Sequence, residues 1–326
     1  MKALLCEHHG PPEMLRVADV PMPDPGPGQV RIRIAATGVN FPDTLIVQNL
    51  YQIQPPLPFS PGGEVAGTID ALGEGVSGWA PGDRVAAMTL HGGMAQAVLV
   101  DAGRLFAIPA DMPFPVAAGF IMAYGTALHA LDQRGHLKPG ETLLVLGAAG
   151  GIGLAAVEVG RAMGARVIAA ASSAEKLAVA REHGAQEGID YGNEPLRERI
   201  AALTGGKGVD VIYDPVGGAL SEPAFRSIAP NGRHLVLGFA AGDIPALPFN
   251  LPLLKSASIV GVFWGAFTTR DPAAHRANMA RLFRWYGDGL LKPAIDRRFP
   301  LEEGGAAIRY LMDRKARGKV IVDIED

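Results

Sequence analysis

The sequence predicts an α/β protein in which a β-rich domain is followed by a doubly wound parallel sheet. Fifteen of the 26 prolines fall before residue 124, where the intervening runs are short and often alternate polar and apolar residues. After residue 124, apolar runs suited to buried strands alternate with helical patterns, which indicates parallel strands joined by helices. A length of 326 residues favours two domains.

The first part of the chain shows the alternation of half-buried strands. In VRIRIAATG (30–38), Val30, Ile32 and Ile34 lie on one face, while Arg31 and Arg33 lie on the other. Further strands separated by glycine-rich turns are predicted at EVAGTIDALG (64–73), DRVAAMT (83–89) and MAQAVLV (94–100). The pattern is typical of a compact, β-barrel-like domain.

A glycine-rich turn between a strand and a helix predicts a dinucleotide site. LLVLGAAGGIG (143–153) joins an apolar strand to an amphipathic run, and RVIAAA (166–171) completes a βαβ unit. Such a turn directs backbone N–H groups and the helix dipole at one point, which suits a pyrophosphate. The predicted contacts are Ala149, Gly150, Gly151, Ile152 and Gly153. The alternative is an ordinary tight turn.

The end of the second strand indicates which dinucleotide binds. NAD sites usually carry Asp or Glu there, but this chain has Ala171, followed by Ser172, Ser173 and Lys176. Two hydroxyls and an ammonium can bind a 2′-phosphate, and no carboxylate repels it, so NADPH is favoured over NADH. The alternative is that a serine only caps the next helix and Lys176 is a surface residue.

Three further runs extend the parallel sheet, and the tail mixes helix and strand. The strands are predicted at VDVIYDPVGG (209–218), GRHLVLGFA (232–240) and SIVGVFWGAF (258–267), followed by a helix at HRANMARLFRWYGDG (275–289) and a returning strand at GKVIVDIED (318–326). We therefore expect a dinucleotide-binding domain at 124–266, and a second domain formed by 1–123 and 267–326.

The predicted last strand of the sheet also suggests an assembly. SIVGVFWGAF (258–267) contains no charge, and an uncovered edge strand of this kind tends to pair with another chain. We expect a homodimer through this edge. The alternative is a monomer in which a helix from residues 272–290 covers the edge.

Composition excludes several other classes of protein. The net charge of −3, with no long basic run, argues against nucleic-acid or membrane binding as the main role. No 18 consecutive residues are apolar, and the first residues lack the apolar core of a signal peptide. Cys6 is the single cysteine, so an intramolecular disulfide is impossible. A cytoplasmic location is expected.

Seven motifs in order give the chain a family resemblance. They are GVNFPDTLIVQ (38–48), LPFSPGGEVAGTIDALG (57–73), GDRVAA (82–87), AYGTALHAL (123–131), GAAGGIGLAA (147–156), YDPVGG (213–218) and RKARGKVIV (314–322). The chain resembles the zinc-free NADPH:quinone oxidoreductases (zeta-crystallin-like) of the medium-chain dehydrogenase/reductase superfamily. The resemblance implies a GroES-like β-barrel catalytic domain interrupted by a Rossmann domain, with the active site in the cleft between them.

Metal ligands of the zinc-dependent relatives are missing from the sequence. Those relatives carry a Cys in the segment of GVNFPD and a His–Glu pair in that of GGEVAG, where this chain has Val39–Asn40 and Gly63–Glu64. The eight histidines form no i,i+4 pair, and one cysteine cannot build a thiolate site. We expect no functional metal. Without zinc to activate an alcohol, reduction of an electron-poor acceptor, a quinone or an enone, is favoured.

The resemblance also implies site residues. Asn40 and Tyr51 would line the nicotinamide and the substrate and supply a neutral hydrogen-bond donor to the substrate carbonyl, with Tyr124 as a second candidate. Their alternatives are a turn residue for Asn40, an aromatic lid on the prolines of QPPLP for Tyr51, and domain-boundary packing for Tyr124. The other implied cofactor contacts are Thr126, Tyr191, Gly238, Phe239, Phe263, Trp264, Gly265, Arg314 and Lys319.

Other functions compatible with these residues stay open. An enoyl-thioester reductase would use the same hydride geometry but would need a basic mouth for a phosphopantetheine arm. A non-catalytic NADPH-binding protein, crystallin-like or RNA-associated, would need no polar candidates in the active site and, for RNA, a basic stripe. The sequence shows neither a basic mouth nor a basic stripe, and it retains the polar candidates.

Overall fold

The structure, a computed structural model, describes residues 1–324. It divides into two compact units: unit 1 consists of Met1–Met122 and the chain from Pro293 onward, and unit 2 is Ala123–Lys292. The first boundary lies one residue from the expected one. The second does not: residues 267–292 belong with unit 2, so the domain predicted to end at residue 266 ends at Lys292.

The strands of the described residues are numbered in chain order. They are β1 Lys2–Leu5, β2 Arg16–Asp19, β3 Gln29–Val39, β4 Glu64–Leu72, β5 Arg84–Met88, β6 Ala97–Asp101, β7 Leu105–Ala107, β8 Thr142–Leu146, β9 Arg166–Ala171, β10 Glu187–Asp190, β11 Val209–Asp214, β12 Ile228–Val236, β13 Ser258–Gly261, β14 Ile295–Pro300 and β15 Lys319–Asp323.

The α-helices are numbered in the same way. They are α1 Phe41–Ile46, α2 Phe114–Ala117, α3 Ile121–Leu128, α4 Gly151–Ala162, α5 Ala174–Glu182, α6 Leu196–Thr204, α7 Ser221–Arg226, α8 Asn250–Lys255, α9 Trp264–Arg270, α10 Pro272–Gly287 and α11 Gly304–Met312. A π-helical turn, His129–Arg134, continues α3. Within residues 1–324, no helix combines the length and apolar character needed to cross a membrane.

Unit 1 is built on a seven-stranded sheet in the order β14-β15-β3-β4-β5-β7, with β6 also paired to β3. The alternation predicted for β3 is confirmed, because Val30, Ile32 and Ile34 are buried in the core of the unit. The predicted return of the C-terminal strand is confirmed too: β15 pairs antiparallel with β3 and parallel with β14. Glu325 and Asp326, the last two residues of that prediction, lie outside the described residues.

Unit 2 contains a six-stranded parallel sheet in the order β10-β9-β8-β11-β12-β13. The chain starts in the middle with β8, moves outward to β10, and then returns to add β11, β12 and β13 on the other side. This is the doubly wound arrangement that the alternating strands and helices predict. The strand order reverses between β8 and β11, and ligands bind at such switch points.

The strand predicted to be the last of the parallel sheet is shorter than expected. The strand predicted over residues 258–267 ends at Gly261, and α9 begins at Trp264. Helical spacing puts Trp264 and Phe267 on one face, where the Phe267 ring stacks on His129 with 4.0 Å between centroids. Trp264 is buried and meets His275 edge-on at 5.4 Å. This aromatic packing, which alternation cannot reveal, accounts for the helix.

Contacts of α10 explain why the domain boundary was misplaced. Asn278 donates to Gln133 over 3.0 Å and accepts from it over 2.8 Å, and Arg281 pairs with Asp132 over 2.8 Å. Met279 and Leu282 on the same helix are fully buried. The helix therefore completes unit 2, although it follows the last strand of the parallel sheet.

His275 makes the stability of unit 2 sensitive to mild acid. Burial, together with the charges of Arg276 and His129, lowers its pKa to about 4. The ordinary histidine pKa is about 6.5. Between these two values the unfolded chain binds a proton that the folded chain does not, so stability should fall as the pH falls from 6.5 towards 4.

We expect His275→Phe, which cannot titrate, to flatten this part of the pH profile. Urea unfolding of the wild type and the variant at pH 7, 5.5 and 4.5 measures the difference, with His136→Phe, at an exposed position, as the control. Identical slopes for the wild type and His275→Phe would contradict the assignment.

Candidate functional site

The glycine-rich turn of unit 2 exposes backbone donors at the start of α4. Gly150 is the extended N-cap residue, its carbonyl accepts the first helical bond from Leu154 N (2.8 Å), and no side chain caps the helix. The N–H groups of the first turn, Gly151–Gly153, are therefore available to an anion. A Cβ at Gly153 would overlap the Gly147 carbonyl, so only glycine allows α4 to approach β8 this closely.

Loops that follow four strands of the sheet come together around this turn. Ala148 N donates to Ala170 O of β9 (3.0 Å), and Tyr191 N donates to Ala171 O (3.0 Å). On the other side, an added Cβ at Gly147 would meet Val216, which follows β11. The sequence-predicted residues after β8, β9 and β10 thus lie at one edge of the sheet.

The segment after β9 contains a helix cap and a hydroxyl–ammonium contact, formed by Ser172, Ser173 and Lys176. Ser173 caps α5 by accepting from Lys176 N (3.4 Å). Lys176 lies one helical turn after Ser172, and its ammonium donates to the Ser172 hydroxyl over 3.2 Å. The structure thus confirms the serine cap, and it brings the other hydroxyl beside the ammonium; the contact of this pair with a 2′-phosphate stays a prediction. Ala171 presents no carboxylate there.

Asp214, at the end of β11, fixes the next loop and was missed by sequence reasoning. One carboxylate oxygen accepts from Val216 N (2.9 Å) and Gly217 N (2.8 Å), and the other accepts from Ser221 Oγ (2.6 Å) and His234 Nε2 (3.0 Å). Burial opposes the charge of Asp214, but these donors hold its pKa below the usual value. An acid ending the apolar run VIYD was the available signal.

The predicted residues after β12 lie beside the loop that Asp214 holds. Ala240 N donates to Pro215 O (3.1 Å), which brings Gly238 and Phe239 next to the loop after β11. The Phe239 ring and backbone also lie against Gly217. Gly238 and Phe239 thus follow a fifth strand, β12, whose end lies at the same edge of the sheet.

Four other predicted cofactor contacts differ in their surroundings. Thr126 is buried on α3, and Phe263 is 64% exposed just before α9. Gly265 lies in the first turn of α9 rather than at a strand end. The Trp264 ring is buried against Gly125, and the predicted cofactor contact of this residue stays a prediction.

Tyr124 is hydrogen-bonded to a buried acid, Glu158. Its hydroxyl donates to Glu158 Oε2 over 2.7 Å, and burial followed by the Glu158 charge raises the pKa of Tyr124 well above its usual value. Glu158 also interacts with His183 Nδ1 (2.5 Å) and accepts from Lys292 N (2.9 Å). The packing alternative for Tyr124 is therefore the one that the structure supports.

In unit 1, the Asn40 side chain belongs to a buried ionic network. Its amide nitrogen donates to Glu64 Oε2 (2.9 Å) and Gly38 O (3.3 Å), and its oxygen accepts from Lys319 Nζ (2.5 Å). Lys319 Nζ also lies 3.2 Å from Glu64 Oε2. Both amide hydrogens of Asn40 are therefore used within the protein, and its predicted role at the substrate stays a prediction.

Tyr51 is near the same network and keeps its proton. It is half-buried against the core of unit 1, and burial followed by the Asp43 charge raises its pKa. Asp43 accepts from Asn40 N (2.7 Å) and Gly62 N (3.2 Å), and its burial raises its own pKa to about 6. A phenol that stays neutral at physiological pH can donate a hydrogen bond to a carbonyl oxygen.

The two predicted basic contacts near the C-terminus are not alike. Arg314 is exposed in the turn after α11, whereas Lys319 is 6% exposed and engaged by Asn40 and Glu64. Lys319 is thus an internal cation, and its predicted position close to the cofactor stays a prediction. Glu64 and Asp43, its buried acidic neighbours, were not selected from the sequence. The signal was an acid within each of two otherwise uncharged motifs, GVNFPD and GGEVAG.

No metal centre is evident in the described part of the chain. Within residues 1–324, no three His, Cys, Asp or Glu side chains are grouped closely enough to hold a metal ion. Cys6, the single cysteine, is buried in unit 1.

Comparisons with known proteins place both units in one superfamily. The family model described as alcohol dehydrogenase GroES-like domain matches residues 26–110, and the one described as zinc-binding dehydrogenase matches residues 151–281. A GroES-like domain with an inserted Rossmann domain is the architecture of the medium-chain dehydrogenases/reductases.

Relatives of nearly full length narrow the family. Mouse quinone oxidoreductase-like protein 2 is 38% identical over 99% of this chain and 92% of its own length. Human quinone oxidoreductase is 32% identical over 99% of this chain and 97% of its own. The crystal structure of Escherichia coli quinone oxidoreductase complexed with NADPH is 28% identical, with a TM-score of 0.91 over 99% of this chain and 100% of that chain. The chain belongs to the zinc-free quinone oxidoreductase family of oxidoreductases.

Proposed function

We propose that this protein is an NADPH-dependent reductase that transfers hydride to quinones or other α,β-unsaturated carbonyl compounds. The observation that carries the proposal is found at the carboxyl ends of the parallel strands. There, uncapped N–H groups follow β8, and a hydroxyl–ammonium pair follows the adjacent strand β9. The structure of a mycobacterial relative was also solved in complex with NADPH. That relative is 32% identical to this chain, with a TM-score of 0.92 over 99% of this chain and 100% of its own.

The chain offers a matching group for each charged part of NADPH. The backbone of residues 149–153 suits the pyrophosphate, and Ser172, Lys176 and Tyr191 suit the 2′-phosphate. Within unit 2, we assign the nicotinamide half to Thr126, Gly238, Phe239, Phe263 and Gly265. When bound, NADPH supplies the hydride, and this is the only redox chemistry that the reaction needs.

Tyr51 is the residue best suited to polarise the acceptor. As hydride arrives, negative charge develops on the acceptor carbonyl oxygen, and a neutral phenol can stabilise it and pass on a proton. Exposed apolar side chains precede and follow Tyr51 in sequence: Phe41, Leu50 and Leu57 are each at least 40% exposed. Such a surface favours aromatic or alkyl acceptors over charged ones.

The experiment is steady-state oxidation of NADPH with 1,4-benzoquinone, 9,10-phenanthrenequinone and an alkyl enone, against a control without acceptor. We expect turnover that persists after exhaustive chelation, because hydride transfer from NADPH to these acceptors needs no Lewis acid. Tyr51→Phe should lower kcat by about tenfold or more, since it removes the proposed donor.

Three outcomes would contradict parts of this proposal. NADPH binding without turnover of any acceptor would favour a non-catalytic role. Activity lost on chelation and restored by zinc would contradict a metal-free reaction. A Tyr51→Phe variant with the wild-type kcat would show that this tyrosine only packs.

A charge reversal at Lys176 tests the choice of cofactor. Lys176→Glu puts a carboxylate beside the Ser172 hydroxyl, where the 2′-phosphate is expected, and should weaken NADPH binding by at least about 1.4 kcal/mol, a factor of ten. NADH lacks this phosphate and should lose far less. Dissociation constants from nicotinamide fluorescence measure both, with Lys207→Glu, at an exposed turn of unit 2, as the matched control. Equal losses for NADPH and NADH would show a general effect on folding.

We also propose a homodimer in which the surface around β13, the terminal strand of the parallel sheet, meets its copy. β13 is the terminal strand, and exposed apolar side chains surround it in sequence: Phe249 is 89% exposed, Leu253 78%, Leu254 75% and Ile259 44%. A surface of this kind is normally covered in soluble proteins. Arg134 already donates to Gly261 O over 3.1 Å, so apolar packing contributes more than strand pairing.

Light scattering at micromolar concentration should report close to 68 kDa, twice the chain mass of 34.1 kDa. Leu254→Glu should shift the mass towards one chain, because it buries a carboxylate in the interface. Met14→Glu, at a 47% exposed position of unit 1, is the control. A wild-type mass near that of one chain would contradict the dimer.

A further inference from the structure

A buried cluster of unit 1, at the start of α1, combines two acids with one base: Asp43, Glu64 and Lys319. Lys319 Nζ lies 3.2 Å from Glu64 Oε2, so these two opposite charges are paired. Asp43 is held instead by backbone N–H groups. Its Oδ2 accepts from Asn40 N over 2.7 Å, and its Oδ1 accepts from Gly62 N over 3.2 Å. The cluster therefore carries one negative charge in excess, and Asp43 is the acid best placed to take up a proton.

The proton uptake of Asp43 falls in a range that mild acid reaches. Burial raises the pKa of Asp43 to about 6, and the charge of Glu64 adds to this rise. The two N–H groups and the charge of Lys319 oppose it without cancelling it. The ionised carboxylate is therefore maintained at neutral pH against the cost of its burial.

Other charged or titratable groups on the segments that pack against α1 are directed elsewhere. On α11, Arg309 donates to Glu13 and Tyr310 donates to Asp296. The loop after β1, with His8 and His9, meets the opposite end of α1, where Gly10 N donates to Val47 O (2.9 Å). Tyr51 is the remaining titratable neighbour of Asp43.

Protonation of Asp43 would weaken the attachment of α1 to the segment that precedes β4. Both carboxylate oxygens already accept from an N–H group, and the added proton turns one of these acceptors into a donor. α1 has only six residues, and the turn after it closes with Leu50 N donating to Leu45 O (2.9 Å). Tyr51 follows this turn directly, so its position depends on that of α1.

We infer that Asp43 is a positioning residue whose ionised carboxylate holds the segment that carries Tyr51, so that mild acid reversibly lowers the rate of acceptor reduction. The inference rests on the proposed function, in which Tyr51 polarises the acceptor. Loss of the Asp43 charge would by itself make Tyr51 a stronger acid, because after burial that charge raises the pKa of Tyr51. The sign of the pH effect therefore distinguishes positioning from a direct charge effect.

The experiment is the pH profile of kcat for 9,10-phenanthrenequinone between pH 5 and 8, at saturating NADPH. We expect the wild-type kcat to fall by about fivefold or more from pH 7 to pH 5, with a midpoint near 6, and to recover at pH 7. Asp43→Asn sets an amide donor against a backbone N–H, so its kcat should be low at pH 7 and nearly constant over this range.

A matched control corrects for titration of the cofactor. The 2′-phosphate of NADPH also titrates near pH 6, and it does so with every variant. In unit 1, Asp83 likewise accepts from a backbone N–H, that of Ala80 (2.8 Å), but at an exposed turn. Asp83→Asn should keep the wild-type profile.

Stability separates the proposed effect from acid unfolding. The pKa of Asp43 in the folded chain, about 6, lies above its ordinary value of 3.8, so the folded chain binds the proton first. The contribution of Asp43 to stability therefore rises as the pH falls from 6 towards 4. In urea unfolding at pH 7, 6 and 5, the wild type should gain stability relative to Asp43→Asn while its kcat falls.

Three results would overturn the inference while leaving the proposed function intact. A kcat that rises in acid would show that the acidity of Tyr51 dominates. An Asp43→Asn variant with the wild-type profile would show that another group titrates. A wild type that loses stability in acid relative to Asp43→Asn would show general acid unfolding. A wild-type protein that reduces no acceptor at any pH would instead refute the proposed function, and this inference with it.

Discussion

Buried carboxylates fix the loops that carry the proposed ligand contacts in both units. A buried acid is costly unless donors surround it, and the donors closest to hand are the backbone N–H groups of the adjoining turn. Asp214 uses the N–H groups of Val216 and Gly217 in this way, and Asp43 uses that of Asn40 in its own turn as well as that of Gly62 in a distant segment. Each acid therefore determines the course of its own loop, and the side chains on that loop inherit their positions.

Local patterns carried most of what could be predicted. The βαβ unit of residues 142–171, with its glycine turn, could be predicted from apolar runs and glycine spacing. Each of its elements depends only on residues that are close in sequence. The Ser172–Lys176 pair was equally accessible, since four residues make one helical turn and the hydroxyl and ammonium then meet. For the same reason Ser173 could be proposed as a cap from its position alone.

Contacts between distant segments could not be predicted in this way. Asn40 and Glu64 are 24 positions apart and Glu64 and Lys319 are 255 apart, so no spacing rule links them. Without that network, Asn40 was expected to donate to substrate and Lys319 to meet the cofactor. The strand prediction for the residues after Gly261 was wrong for a related reason. These residues suit a strand, but packing of Trp264 and Phe267 against histidines of other segments selects a helix.

Glu158 shows how a third buried acid defines the extent of unit 2. It lies on the helix that follows the glycine turn, and it binds Tyr124 and Lys292, which stand near the first and last residues of the unit. Without these donors the buried charge would be uncompensated, so the chain is held at the points where it enters and leaves unit 2. This link explains why residues 267–292 fold with the parallel sheet. It also shows why a boundary drawn at the last strand fell short.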